Sequence, residues 1–124
     1  MKSTIATFRT IAGHEVIPKI ICGWNEEIEL EISGTRRIIR ITYPGSSRIL
    51  KSNMLVNVAI KQDHQIEVFQ IESSEWLTRC QNTLNYHASL RREKPIEVNH
   101  FVIDNSPFWR IEYIASALEI DGTV

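Results

Sequence analysis

From Glu26 to Ser33 the apolar Ile28, Leu30 and Ile32 alternate with Glu27, Glu29 and Glu31, a period of two that predicts a strand with one buried and one wet face. Gly34-Thr35 follows as a two-residue turn with glycine first, as a type II′ hairpin prefers. That turn sets Ser33 opposite Arg36, Glu31 opposite Ile38 and Glu29 opposite Arg40, with Leu30 facing Ile39 and Ile28 facing Ile41 on the buried side. Upstream, two β-branched runs between Thr4 and Trp24 are separated by Gly13-His14, a turn pair, and Pro18 pushes the second run toward an edge or a bulge. Downstream, Pro44 to Ser47 reads as a turn into a short strand near Arg48 to Lys51, and Met54 to Ile60 alternates again. Ile66 to Glu72 carries apolar residues on both faces, as a central strand would.

The period then changes. Trp76, Leu77, Cys80, Leu84 and His87 recur at helical spacing behind a Ser73-Ser74 cap with Glu75 in the first turn, predicting one amphipathic helix on a sheet. After the basic loop and Pro95, a further strand is expected over Ile96 to Ile103. The segment from Pro107 to Ile120 fits a helix capped by Ser106 with Pro107 at its first position, but it also alternates as a strand, which is the reading we prefer. A tight turn at Asn105-Ser106 would then set Val102 against Trp109 and His100 against Ile111. The expected fold is α+β: one domain over residues 1–124, with an antiparallel, meander-rich sheet of about seven to nine strands curled into a sandwich or open barrel and one amphipathic helix packed on it.

Composition supports a folded, strand-rich domain. The chain has 124 residues, 43% hydrophobic and 23% charged, enough to bury a core without disulfides or metal. Nineteen isoleucines stand against five glycines and four prolines, and Cβ branching fits a pleated surface better than a helix turn. Fourteen basic and fifteen acidic side chains leave a net charge of −1, so no global field draws the protein to nucleic acid or to an anionic membrane. No apolar run approaches the roughly 20 residues of a membrane span, and the first residues lack a secretory apolar core, so no membrane association and a cytoplasmic location are expected. Cys22 and Cys80 read as two thiols in a reducing compartment.

Candidate chemistry is sparse. His100 is expected among the apolar residues Trp109, Ile111 and Tyr113 as a core histidine; the functional reading pairs it with Asp104 as a general base, yet no nucleophile accompanies them, and Ser106 reads as a turn or cap residue. Cys80, His87 and His100 lack the close spacing of a zinc site, and no glycine pattern cradles a phosphate, so no metal or cofactor is expected. The glutamates of the first hairpin, beside Arg36 and Arg40, form a charge ladder rather than an acid–base pair. With no catalytic constellation legible, the chain is expected not to be an enzyme. It is expected to bind another protein, for example as an inhibitor or an immunity-type partner of a toxin, through the interface-like Phe108, Trp109 and Arg110. The alternative is a single-stranded nucleic-acid binder using Arg91, Arg92 and Lys94 with nearby aromatics; a third reading is an enzyme with a dispersed site.

Overall fold

The computed structural model of the chain describes residues 2–10, 15–21, 26–32, 35–50, 58–59, 64–106 and 109–121. The strands are β1 (Lys2–Thr10), β2 (Glu15–Ile21), β3 (Glu26–Ile32), β4 (Thr35–Leu50), β5 (Val58–Ala59), β6 (His64–Ile71), β7 (Asn99–Asn105) and β8 (Trp109–Asp121), with the helix α1 (Glu75–Arg91) between β6 and β7. All pairings are antiparallel, in the order β1-β6-β7-β8-β4-β3-β2-β5. The α+β class and the single helix agree with the sequence pattern. The body of the sheet is six strands rather than seven to nine: the main core cluster among the described residues is drawn from β1, β3, β4, β6, β7 and β8, with Ala88 of α1 and Val98 buried outside it, and β2 with the two-residue β5 continues the order at one edge.

The topology departs from a simple meander. Two meanders, β2-β3-β4 and β6-β7-β8, are joined through β4 and β8, and β1 crosses to pair with β6 instead of forming a hairpin with β2. A flat sheet would hold β1 and β4 about 19 Å apart, four strand spacings. Instead the Arg37 guanidinium on β4 lies 6.0 Å from the centroid of the Phe8 ring on β1, so the sheet is strongly curled. It is not closed, since among the described residues β1 pairs only with β6 and β5 only with β2.

Two register shifts help the curl. One falls between Thr4 and Ala6 on β1 and the other between Pro44 and Ser46 on β4. The second corrects the turn expected at Pro44 to Ser47: β4 runs through it for 16 residues. Proline has no N–H for a ladder bond, and a bulge beside it lets the strand bend without ending. The first hairpin is also shifted from its expected pairing. Ile32 faces Thr35, so Glu27 faces Arg40 and Ile28 faces Ile39. A slip of two residues keeps every side chain on its face, so the apolar pattern fixes the face without fixing the partner.

The ladder of charge follows the actual register. Arg36 Nη2 lies 2.7 Å from Glu29 Oε1 and Arg40 Nε lies 3.0 Å from Glu27 Oε1, and Arg40 also pairs with Asp121 on β8. Hydrogen bonds that Arg40 donates to Asp121 and Glu27 raise its pKa further above the ordinary value, so this side chain stays charged at any working pH. Exposed pairs of this kind are screened by water. Arg40→Ala is therefore expected to lower the melting temperature by no more than a few degrees in a circular-dichroism melt; a collapse of the transition would mean that the ladder holds β3, β4 and β8 together.

Helix α1 begins where the sequence pattern places it. Ser74 is the N-cap, its Oγ accepting from the Leu77 N–H at 3.1 Å, and Glu75 sits in the first turn. The inward residues are Trp76, Leu77, Cys80, Leu84 and the buried Ala88; His87, expected on this stripe, is exposed, and the free thiol of Cys80 is half-buried. Arg92 ends the helix in the left-handed region at φ 55°, with its N–H on Ser89 O and the Glu93 N–H on Ala88 O, a Schellman-type stop that glycine usually provides. The chain then returns along the helix, tied to it by Gln81, which donates to Ile96 O and accepts from the Val98 N–H.

Candidate functional site

Position 107–121 resolves as strand β8 from Trp109 onward, but its register on β7 differs from the expected one. Asn105 faces Trp109, Ile103 faces Ile111, Val102 faces Glu112 and His100 faces Ile114. The connection holds three residues, 106–108, rather than two, and Asp104 supports its start by accepting from the Ser106 N–H at 2.9 Å, an Asx-type turn. The expected pairing thus shifts by an odd number, and an odd shift turns a strand over. Phe101 and Ile103, not His100 and Val102, share the core face with Trp109, Ile111 and Tyr113.

His100 therefore belongs to the opposite face, under the N-terminal end of α1. It is only 2% exposed. Its Nδ1 lies 2.8 Å from Ser74 Oγ, its Nε2 lies 2.6 Å from Glu112 Oε1, and the Trp76 ring meets it edge-on at 5.1 Å. Asp104, expected as its partner, sits four residues along β7 and is paired with Arg110 Nη1 at 3.5 Å. Glu112, also 2% exposed, faces Arg110 Nε with its other oxygen at 3.5 Å. A polar line thus crosses the outer face, from Asp104 and Arg110 through Glu112 and His100 to Ser74.

Burying ionisable groups costs several kcal/mol each unless geometry and hydrogen bonds compensate. Here the imidazole has a hydrogen-bonding neighbour at each ring nitrogen, and the Arg110 guanidinium, 5.5 Å from the centroid of the Phe69 ring, closes the end of the line. On the same face Lys2 Nζ reaches Glu67 at 2.6 Å and lies 4.7 Å from that ring.

The residues expected to form a protein interface are divided. Trp109 is fully buried in the core and presents no ring to a partner. Arg110 is half-buried by its pairs with Asp104 and Glu112, and Phe108 lies outside the described residues. The basic trio is accessible: Arg91 is the last helical residue, Arg92 the cap, and Lys94 follows on the return segment, all exposed, with Arg91 3.5 Å from Glu93. Close to them are the most exposed large apolar side chains described, Tyr86 at 61% and Leu90 at 65%, one turn apart on α1, with Ile96 at 40% on the return segment. His14 lies outside the described residues, and His64, expected in a turn, begins β6.

Among the described residues no three of His, Cys, Asp and Glu gather as metal ligands would, and no described helix is long and apolar enough to cross a membrane. The chain matches no protein-family model, no curated protein and no solved structure. What it does must be argued from its own surface and its own buried groups.

Proposed function

We propose that this domain acts by binding another protein, in the manner of an inhibitor or an immunity-type partner of a toxin, and that the binding surface is the outer face of the last turns of α1. The observation that carries this reading is the exposure of Tyr86 and Leu90 on successive turns, the two most exposed of the large apolar side chains described. Aromatic and aliphatic anchors ringed by polar groups are the usual centre of a protein interface. Arg91, Arg92 and Lys94 at the rim favour a partner with an apolar pocket flanked by carboxylates. The anchor is thereby moved from Trp109 to Tyr86.

The alternative, a single-stranded nucleic acid, draws on the same basic trio and on Tyr86 as a stacking platform. A net charge of −1 weighs against it, as does Tyr86 being the one exposed Phe, Tyr or Trp side chain beside the trio among the described residues. The test uses a partner recovered from the native host and then purified. Tyr86→Ala and Leu90→Ala are each expected to weaken the complex at least about 30-fold through a faster off-rate. Alanine at Arg91, Arg92 and Lys94 is expected to change mainly the on-rate and its dependence on salt. Recovery that disappears with nuclease, together with a steep salt dependence abolished by the triple change, would replace the reading with nucleic-acid binding.

A further inference from the structure

Ser74 occupies two roles at once. Its Oγ caps the helix by accepting from the Leu77 N–H, and the same oxygen lies 2.8 Å from His100 Nδ1. On the other side of the ring, Nε2 lies 2.6 Å from Glu112 Oε1. With Glu112 ionised and His100 neutral, the carboxylate accepts from Nε2 and leaves Nδ1 as an acceptor toward the Ser74 hydroxyl. The Ser74 hydroxyl then points its hydrogen at a base whose tautomer the buried carboxylate has set.

We propose that Ser74, His100 and Glu112 form a nucleophile–base–carboxylate relay that can be acylated, giving this domain an esterase-type activity on small, uncharged or cationic acyl esters. The proposal is independent of the binding surface at Tyr86 and Leu90. The depth of the three groups fits the roles: Ser74 is partly exposed, while His100 and Glu112 are sealed beneath it. Stability alone does not call for such an arrangement, because a buried polar cluster is generally no better than an apolar filling of the same volume. Trp76, edge-on to the imidazole, holds the ring in place. The Glu75 amide follows the hydroxyl in the chain at the open N-terminus of α1 and supplies a donor toward a developing oxyanion. Glu72 and Glu75, both exposed on either side of Ser74, disfavour anionic substrates.

The chemistry balances without any further reactant than water. The bond from Ser74 Oγ to the acyl carbon forms as the hydroxyl proton passes to His100 Nδ1, and the bond to the alcohol oxygen breaks as that oxygen takes the proton. Water then adds to the acyl carbon and gives its proton to Nδ1. That proton returns to Ser74 Oγ as the carboxylic acid departs. Glu112 acts as a positioning residue, since it reaches the base at Nε2 rather than the reacting hydroxyl.

The test is to expose the folded full-length chain to an alkyl fluorophosphonate and follow the adduct by intact mass and peptide mapping. A single adduct is expected on Ser74, forming at least about 100-fold faster than on the exposed Ser73 and Ser89 of the same chain, the scale of general-base assistance. It should vanish in Ser74→Ala and in Ser74→Asp, the second of which retains a capping oxygen and so keeps the helix start. Glu112→Gln should slow labelling at least about 10-fold while the near-ultraviolet circular dichroism stays native, which a purely structural carboxylate would not do. Labelling of Ser74 no faster than that of Ser73 and Ser89, or no adduct at all on the native protein, overturns the proposal.

Discussion

Trp109→Ala is expected to lower the free energy of unfolding by about 3–5 kcal/mol, the range for truncating a large aromatic in a core. Trp109 is fully buried at the start of β8, on the face that holds Ile103, Ile111 and Tyr113. Removing its indole leaves a void that a curled sheet cannot collapse around, because the strands on either side are fixed by their ladders. Trp109→Phe keeps an aromatic ring there and gives up an indole N–H that meets no hydrogen-bond partner among the described residues, so it should cost well under half as much. Chemical denaturation of the three proteins measures both differences. A Trp109→Ala protein with wild-type stability would put the ring on the surface.

The second large effect is expected at Glu112. Glu112→Ala should destabilise the fold by about 3–5 kcal/mol, because it strips a buried, hydrogen-bonded pair of one member and leaves the other in a dry site. His100 Nε2 would lose the carboxylate oxygen 2.6 Å away, and Arg110 Nε would lose the oxygen at 3.5 Å. Glu112→Gln retains a carbonyl oxygen toward Nε2 and should lose substantially less, which makes it the variant suited to the labelling test. His100→Ala and Glu112→Ala share one interaction, so the double variant should be less damaged than the sum of the two. Additive losses, measured in a double-mutant cycle by denaturant unfolding, would show that the two residues are not coupled.

Local features were legible because they depend on neighbours in the chain. The Ser74 cap, the helical stripe from Trp76 to Leu84, the two-faced strand around Val68 and Phe69 and the alternation of Trp109, Ile111 and Tyr113 all follow from spacing within one element. Pairing was less legible. The step from Ile28 facing Ile41 to Ile28 facing Ile39 changes no side chain's face, so the apolar pattern does not distinguish the two registers. The crossing of β1 to β6 joins residues 54 to 69 positions apart, a contact that no local pattern encodes.

The site was lost to a single residue of loop length. With a two-residue turn after Val102-Ile103-Asp104, His100 lands among aromatics; with three residues it lands beside Glu112 and Ile114. The available signal was the order Asp104, Asn105, Ser106, Pro107, in which the aspartate can accept from the Ser106 amide and stretch the turn. Ser74 was read as a cap, correctly. Its second partner lies 26 residues away across the fold and had no signature in sequence.

The placement of β8 has a consequence for the order in which this protein can be made. It pairs with β4 on one side and β7 on the other, so the meander β2-β3-β4 and the strands β6 and β7 share no sheet until residues 109–121 leave the ribosome. Before that moment Ile39 and Ile41 on one part and Phe101 and Ile103 on the other have lost the strand that brings them together, and such exposed apolar faces are what chaperones bind during synthesis. Folding of the whole sheet therefore waits for β8, the strand that bridges its two parts, rather than growing outward from the first strand.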